Sequence, residues 1–219
     1  MKVSVIVRTR NEEKTVGKTL DMLKKQTFKN FELIIVDNTS TDDTLKIAKK
    51  YKIDKIINIP EGKFSYSKSL NDAIKVAAGD FVVITNGHSI PMTKTWLADG
   101  LKNFDDPNVV GISGHCTFHR SLLPWERIRL THNSSTIHWH LTNTDSIIRK
   151  KNWEEYEFDE SLDGCEDYDW AEEMVARGYE IIKDPKFSIY HYHRISKETK
   201  EYWKKMRKIL EARKRPRNL

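Results

Sequence analysis

Polar side chains follow three short apolar runs of the sequence, and they are the first candidates for chemistry. Thr9 and Glu12 come after the first run, and Asp37 closes the second. An aspartate at the carboxyl end of a strand can accept a hydrogen bond from an imide N–H group or a ribose hydroxyl group. The third run is followed by Asn86-Gly87-His88, whose neutral imidazole could ligate a metal ion.

Two pairs of histidines that bracket an aromatic residue form a second group of candidates. Tyr190-His191-Tyr192-His193 follows a short apolar run, and its two imidazoles would share one face of an extended segment. His138-Trp139-His140 has the same spacing. Trp139 could stack on the C–H groups of a sugar, although ordinary packing explains it as well. The spacings typical of zinc sites do not occur, which argues against a structural zinc ion.

The elements that must position these residues alternate between apolar runs and helical patterns through residue 105. Such runs favour buried parallel strands, and the helices between them imply right-handed crossovers and a mostly parallel sheet. Ligands bind beyond the carboxyl ends of such strands, where the first candidates lie. The predicted strands cover residues 3–7, 33–36, 55–59 and 81–85, and the predicted helices cover 15–26, a segment capped by Thr41, and 67–77.

The alternation weakens in the second half of the chain. Residues 114–143 have no clear period, so the sequence predicts no regular element there. The period returns over residues 164–177, which predict a helix with Trp170 and Met174 among its buried positions. Further predicted strands cover 108–113, 180–182 and 187–190, and a charged helix is predicted over 197–214.

The positive charge is concentrated in the C-terminal segment. The chain of 219 residues has a formal net charge of +6, and residues 197–219 contain ten basic and three acidic side chains. The remainder is nearly neutral, which argues against a nucleic-acid-binding surface over the whole protein. The segment is either a solvated amphipathic helix or a contact for an anionic membrane surface, which Tyr202 and Trp203 beside basic residues favour.

Three features bear on the compartment. No apolar run approaches the roughly 20 residues that a membrane helix needs. The apolar stretch near Met1 is too short for a signal peptide. The two cysteines, Cys116 and Cys165, cannot make a disulfide framework. We therefore expect a reducing, cytoplasmic setting, extended to the inner face of a membrane if the basic tail binds lipid.

Two motifs together resemble the opening of the family 2 glycosyltransferases, which are inverting enzymes with the GT-A fold. One is Asn11-Glu12 after the first strand, and the other is the Val-Asp-x-x-Ser-Thr-Asp-x-Thr pattern of residues 36–44. The resemblance implies that the first loop, with Thr9 and Glu12, holds a nucleotide and that Asp37 contacts its base. The alternative is a simple turn and cap at Asp37. The resemblance also implies that Lys68 approaches the diphosphate, unless it is a solvated lysine.

The segment after the fourth strand departs from the family pattern. Most members carry Asp-x-Asp there, which binds a divalent cation, whereas this chain has Asn86-Gly87-His88 and resembles relatives with a final histidine. The resemblance implies that His88 contacts the diphosphate. It does so either with a cation, for which Mn²⁺ suits an imidazole better than Mg²⁺, or without one. Because a metal ligand must be neutral, we expect cation-assisted binding to weaken below about pH 6.5.

The second-half match is the block from Phe158-Asp159-Glu160 through Glu166-Asp167. It is similar to the family's Phe-Asp-Glu and Glu-Asp-x-x-Trp pattern. The resemblance implies that Asp167 is the general base for an acceptor hydroxyl and that Glu166 orients the acceptor or holds Asp167. Candidate acceptor contacts are Trp139 and Trp170. The family histidine that reaches the metal and diphosphate is either His191 or His193, and His191 is favoured because it follows the strand directly.

The sequence therefore predicts a single α/β domain, a GT-A (Rossmann-like), mostly parallel sheet flanked by helices. The expected activity is transfer of a sugar from a nucleotide-diphosphate sugar to a glycan or lipid-linked acceptor, as in cell-envelope polysaccharide or glycolipid synthesis. Residues 1–195 would form the catalytic domain, and residues 196–219 would form the basic tail. Within the domain, residues 1–105 would bind the nucleotide sugar and the irregular half, residues 106–195, would bind the acceptor. A sugar nucleotidyltransferase would need a Gly-rich loop after the first strand, which is absent here. A non-catalytic sugar-nucleotide binder stays open because Asp-x-Asp is replaced.

Overall fold

The structure, a computed structural model, describes residues 1–117, 127–131 and 141–192, together with residues 201, 204, 205 and 208. The strands in these ranges are β1 (Val3–Thr9), β2 (Phe31–Asp37), β3 (Lys55–Asn58), β4 (Phe81–Asn86), β5 (Ser89–Pro91), β6 (Val109–Ser113), β7 (Cys116–Thr117), β8 (Ile128–Leu130), β9 (Asp145–Arg149), β10 (Glu180–Lys183) and β11 (Ile189–His191). The helices are α1 (Val16–Lys24), α2 (Thr44–Ala48), α3 (Tyr66–Lys75), α4 (Trp96–Leu101), α5 (Lys150–Glu155) and α6 (Glu166–Ala176). Short 3₁₀ turns cover Lys102–Asp105 and Pro185–Phe187.

The central sheet has the strand order β3-β2-β1-β4-β9-β6-β10-β8. Strands β3, β2, β1 and β4 are parallel to one another. Strand β9 is antiparallel to both of its neighbours, β4 and β6, while β10 is parallel to β6. A smaller sheet of β5, β11 and β7 begins just beyond the carboxyl end of β4. The expected mostly parallel α/β sheet is therefore confirmed.

Both faces of the central sheet are covered, which is why its strands read as continuous apolar runs. Alternate residues of a strand point to opposite faces, so neighbouring side chains enter different core clusters. Ile6 packs with α3, α5 and α6 on one face. Val7 packs with α1 and α4 on the other face. The packing leaves the carboxyl ends of β1, β2 and β4 at one edge, where the polar candidates emerge.

The structure corrects three features of the sequence-based element assignment. Residues 114–143, predicted to hold no regular element, contain the short strands β7 and β8 in their described part, formed by pairing with β11 and β10. The sequence predicted no strand at Asp145–Arg149, yet β9 lies in the middle of the sheet. Five residues are too few to show a clear period in the sequence. The segment is a strand because it pairs with β4 on one side and with β6 on the other. Thr41 does not cap α2, which begins at Thr44. Instead Asp42 Oδ1 accepts a hydrogen bond from Thr44 N at 2.9 Å, and Thr41 N donates to Asn11 Oδ1 at 2.8 Å.

Several predicted features lie outside the described residues. These are Trp139, His193 and most of the helix predicted over 197–214, of which residues 201, 204, 205 and 208 are described and helical. Within the described part of the chain, no helix combines the length and the apolar character needed to cross a bilayer.

Candidate active site

The loops that follow β1 and β2 interlock through bonds between side chains and backbone. Asn11 adopts a left-handed conformation with φ of 52°, and its backbone N–H donates to Ser40 Oγ at 2.9 Å. Its side-chain Oδ1 accepts from Thr41 N. The backbone N–H of Glu12 donates to Thr44 Oγ1 at 2.6 Å. These bonds fix the backbone on both sides of Glu12, so the position from which its side chain extends is fixed as well.

Asp37 and Thr9 are brought together at the carboxyl ends of their adjacent strands. Thr9 Oγ1 donates to Asp37 Oδ1 at 2.9 Å. Ser40 donates to the same carboxylate from its N–H at 2.8 Å and from its hydroxyl at 2.6 Å. An ionised carboxylate has about four acceptor positions, so these three bonds leave it room for one further donor. Asp37 is only 1% exposed, which limits that donor to a group that enters the loop.

His88 and Glu12 form a hydrogen-bonded pair beside this loop. His88 Nδ1 lies against Glu12 Oε1, and the two side chains are 16% and 13% exposed. A Cβ at position 87 would overlap Glu12 Oε2, so a side chain in place of Gly87 would displace the carboxylate. Burial, and after it the positive charge of Arg8, lowers the pKa of His88 to about 4. A neutral imidazole that donates through Nδ1 to Glu12 keeps Nε2 as an acceptor or ligand atom.

The structure also brings His191 to this pair. The rings of His88 and His191 are edge-on, with centroids 4.7 Å apart. The chain beyond His191 is held there because Tyr192 N donates to the backbone oxygen of His88 at 3.1 Å. Among the described residues, no three or more His, Cys, Asp or Glu side chains are arranged to hold a metal ion. Within the described part of the chain, His88 and His191 could hold a cation whose other ligands are oxygens of a bound phosphate group.

Glu166 and Asp167 open α6 on the opposite side of the β4 end. The helix begins after Cys165, whose φ of 63° turns the chain into its first residue. Asp167 Oδ2 accepts from the backbone N–H of Asn143 at 2.9 Å, and Oδ1 accepts from Tyr168 N at 2.9 Å. Glu166 Oε1 accepts from Asn143 Nδ2 at 3.1 Å. Asn143 therefore holds both carboxylates at once.

The environment of Asp167 makes it a weaker acid than an ordinary aspartate. Burial and then the neighbouring charge of Glu166 raise the pKa of Asp167 to about 7, against the opposing effects of its hydrogen bonds and of Arg8. A carboxylate with that pKa can gain and lose a proton near neutral pH. Asp169 points elsewhere, as expected, and accepts from Tyr156 Oη at 2.8 Å.

Two residues of this site were missed by the sequence analysis. The Arg8 guanidinium donates through Nε to Asn86 Oδ1 at 3.2 Å and through Nη2 to the backbone oxygen of Asn143 at 2.8 Å. An arginine near the end of an otherwise apolar strand is a signal that could have identified Arg8. No comparable sequence signal marks Asn143, which lies in the segment without a clear period.

Two predicted residues are not brought to the site. The Lys68 ammonium is exposed and pairs with Asp72 of its own helix at 3.0 Å. Trp170 is fully buried in the core, where its ring meets the edge of Phe158 with centroids 6.4 Å apart. The expected acceptor contact by Trp170 is wrong, because a bound sugar could reach that ring only by unpacking the core.

Comparison with known proteins places this geometry in a family. Residues 4–160 match the family model described as Glycosyl transferase family 2. The poly(ribitol-phosphate) β-N-acetylglucosaminyltransferase TarS of Staphylococcus aureus (strain Mu50 / ATCC 700699) is 36% identical over 111 residues, which are 48% of this chain and 19% of TarS. The structure of TarS 1–349 with UDP-GlcNAc superposes with a TM-score of 0.74 at 26% identity, over 95% of this chain and 65% of that one.

Two other proteins extend the comparison. The Escherichia coli UDP-Glc:α-D-GlcNAc-diphosphoundecaprenol β-1,3-glucosyltransferase WfaP is 39% identical over 84 residues, 36% of this chain and 32% of WfaP. The mannosyltransferase PcManGT of Pyrobaculum calidifontis, solved with GDP-Man and Mn²⁺, shares the fold with a TM-score of 0.71 at 22% identity, over 94% of this chain and 60% of that one. This chain thus spans about a fifth of full-length TarS and a third of WfaP. With the family model matched over more than half of its length, the chain belongs to glycosyl transferase family 2 and has the GT-A fold.

Proposed function

We propose that this chain transfers a sugar from a nucleotide-diphosphate sugar to an acceptor hydroxyl group with inversion at the anomeric carbon. The observation that carries the proposal is the placement of Asp167. Its carboxylate is linked through Asn143 and Arg8 to Asn86, two residues before His88. A proton acceptor and a candidate phosphate-binding group therefore share one edge of the sheet. Solved TarS with UDP-GlcNAc supports a sugar nucleotide as donor.

The donor would lie across the carboxyl ends of β1, β2 and β4. Asp37 has one remaining acceptor position for a base or ribose donor, and Thr9 holds its carboxylate in place. Glu12 orients the His88 imidazole, which would meet the diphosphate with His191. Lys68 would reach a phosphate only after leaving Asp72.

Asp167 would act as the general base. The acceptor oxygen attacks the anomeric carbon while its proton passes to an Asp167 carboxylate oxygen. The bond between that carbon and the phosphate oxygen breaks at the same time, and the electron pair leaves with the nucleoside diphosphate. Attack from the face opposite the leaving group inverts the anomeric configuration. Glu166, held by Asn143 Nδ2, would help to orient the acceptor or keep Asp167 in position.

A divalent cation fits the donor side only in part. When bound, it would neutralise charge on the departing diphosphate. His88 and His191 would hold it, and imidazole ligands suit Mn²⁺ better than Mg²⁺. The protein PcManGT was solved with Mn²⁺, which supports that choice. In the absence of a cation, His88 could donate to a phosphate oxygen only as an imidazolium, because its neutral form gives its single N–H to Glu12.

The acceptor would be a glycan or a lipid-linked sugar. The names of TarS and WfaP, which act on a polymer and on a diphosphoundecaprenol-linked sugar, support this class. Trp139 remains a candidate contact for it. The basic segment of residues 197–219 would lie against an anionic membrane surface on the cytoplasmic side, where such acceptors are exposed to the enzyme. We expect no nucleic acid partner.

The test is the substitution Asp167→Asn. The amide keeps the shape of the carboxylate but cannot take the proton, so turnover should fall by about 10²–10⁴-fold while UDP affinity stays unchanged. Transfer is measured as UDP release from UDP-GlcNAc in the presence of a polyprenyl-diphosphate sugar, and UDP binding by calorimetry. Asp163→Asn, an exposed aspartate of the preceding loop, is the matched control.

Near-wild-type turnover in Asp167→Asn would refute the role of Asp167. A wild-type protein that binds UDP with no turnover of any sugar nucleotide or acceptor would favour the non-catalytic binder instead.

A further inference from the structure

Arg8 occupies a position between the two halves of the site. It is the second-last residue of β1 and lies opposite Asn86 of β4 in the strand register. Its guanidinium donates to the Asn86 side chain at 3.2 Å and to the Asn143 backbone oxygen at 2.8 Å. The ring of Tyr66 lies 5.6 Å from the guanidinium carbon. Within the described residues, the buried Nη1 atom has no hydrogen-bond partner.

Asn143 passes this contact on to both acidic residues of α6. Its backbone oxygen accepts from Arg8, its backbone N–H donates to Asp167, and its side-chain amide donates to Glu166. The side-chain oxygen accepts from Ser146 Oγ at 3.3 Å. Every polar group of Asn143 is therefore engaged, and Asn143 is only 2% exposed. A shift of the Arg8 guanidinium would move Asn143 and, with it, the Asp167 carboxylate.

We propose that Arg8 is a positioning residue for Asp167, which it holds through Asn143 and ties to Asn86 on the donor side. The inference rests on the proposed function, because it gives Asp167 its role as base. An arginine suits this task because its planar fork can donate to two acceptors in fixed directions, which a lysine ammonium at the end of a flexible stem cannot do.

The charge of Arg8 adds to its geometric role. Glu166 and Asp167 are adjacent carboxylates, and the charge of Glu166 disfavours the ionised form of Asp167 and raises its pKa. Among the described residues, the Cys165 thiol also faces them and is uncharged at neutral pH, because burial and the two carboxylates raise its pKa to about 12. Arg8 supplies the opposing positive charge from β1 and favours ionised Asp167. Removal of that charge should leave Asp167 protonated over a wider pH range.

The experiment compares Arg8→Met and Arg8→Lys with a matched control, Arg10→Met. Arg10 lies two residues further along the chain, in the loop after β1, and its side chain is exposed. The readout is the ¹³C NMR titration of aspartate carboxyl carbons, in which the Asp167 signal is assigned by its loss in Asp167→Asn. The pKa of Asp167 should rise by about half to one pH unit in Arg8→Met, less in Arg8→Lys, and not at all in Arg10→Met.

A second readout separates positioning from substrate binding. In Arg8→Met, kcat for sugar transfer should fall about tenfold or more, and the acidic limb of its pH profile should move to higher pH. UDP affinity by calorimetry should change less than twofold. The pH profile of Arg8→Lys should shift less than that of Arg8→Met, because lysine keeps the positive charge. The kcat of Arg8→Lys should stay close to that of Arg8→Met, because lysine lacks the planar guanidinium fork.

An unchanged Asp167 titration in folded Arg8→Met would overturn the proposal. If that variant does not fold, Asn86→Ala removes one of the two Arg8 contacts but keeps the charge, so kcat should fall while the pH profile stays in place, and an unchanged kcat would overturn the proposal equally. The NMR titration needs no turnover. Failure of the proposed function, seen as wild-type turnover that survives Asp167→Asn, is therefore distinguishable from failure of the Arg8 role.

Discussion

His88 and Glu12 are joined by a hydrogen bond at the carboxyl edge of the sheet, and both side chains are largely shielded from water. The sequence predicted a change in cation-assisted binding near the ordinary histidine pKa of about 6.5. The structure corrects this expectation, because burial lowers the pKa of His88 to about 4. The imidazole is therefore neutral throughout the pH range in which the protein would be assayed.

The substitution His88→Ala should weaken UDP binding with Mn²⁺ about tenfold and uridine binding less than twofold, because the proposed role of His88 is at the diphosphate and that of Asp37 at the base. The loss corresponds to one metal ligand, because neutral His88 gives its only N–H to Glu12 and leaves the Nε2 lone pair for a cation. The ratio of wild-type to variant affinity should stay constant between pH 5.5 and 8, since His88 does not titrate there. Calorimetry over that range, with and without Mn²⁺, measures it.

Two results would contradict this account of His88. A ratio that grows below pH 7 would mean that His88 gains a proton in that range and pairs with phosphate as a cation. An unchanged UDP affinity at every pH would make Asn86-Gly87-His88 a structural turn.

At the scale of elements, Asn71 joins α3 to the segment that precedes α6. Its Nδ2 donates to the backbone oxygen of Phe158 at 2.8 Å, and its Oδ1 accepts from Trp153 Nε1 and from Phe158 N, both at 3.2 Å. The side chain is 1% exposed. Removing it would leave buried donors and an acceptor unpaired, which costs more than the bonds themselves contribute.

The variant Asn71→Ala should therefore lower the free energy of unfolding by about 2–4 kcal/mol. Urea denaturation measures the change. Asp72→Ala is the matched control on the next residue, where an exposed ion pair with Lys68 contributes less than about 0.5 kcal/mol. Equal effects of the two variants would show that the Asn71 bonds do not hold the segment.

Strand β9 begins at Asp145, a fully buried aspartate beside the Cys116 thiol. Burial raises the pKa of Asp145 well above its usual range, against the opposing charge of Lys183. An unfolded aspartate ionises near pH 3.9. Below about pH 3.9 the group is protonated in both states, and its contribution to the free energy of unfolding is at its maximum. That contribution is lost as the pH rises toward the folded-state pKa. Near neutral pH, the buried carboxyl group costs stability.

The substitution Asp145→Asn should accordingly raise the Tm at pH 7.5, by about 3 °C, and the difference from wild type should shrink toward pH 4. Thermal unfolding followed by circular dichroism across that range tests the sign. A lower Tm in the variant at pH 7.5 would mean that Asp145 is ionised in the folded protein and paired with Lys183.

At the scale of the whole molecule, the basic tail meets the domain at the loop before α6, where Lys205 pairs with Asp163 at 3.4 Å. The proposed donor site lies at the carboxyl ends of β1, β2 and β4, whereas the net positive charge of the chain comes from residues 197–219. Deletion of residues 205–219 should weaken binding to anionic phosphatidylglycerol vesicles at low salt and leave UDP affinity unchanged. Vesicle cosedimentation and calorimetry measure the two effects. Equal vesicle binding by both forms would exclude the membrane role.

The first half of the fold and part of the site were predictable from the sequence alone. Continuous apolar runs separated by helical periods specify buried parallel strands, because both faces of such a strand must pack. The strand ends then follow from the same pattern, which is how Thr9, Asp37 and His88 were identified. Glu166 and Asp167 were found from the family motif, and the structure places them at the start of a helix as expected.

The tertiary structure decided the rest. Strand β9 exists because it has a partner on each side, and five residues cannot encode that. Arg8 and Asn143 meet only because β1, β4 and the segment before β9 converge, although 135 positions separate them along the chain. The charges of His88 and Asp167 depend on burial and on neighbours from distant elements. Trp170 lies in the core rather than in an acceptor pocket. The elements that pack against α6 decide which side of that helix is buried.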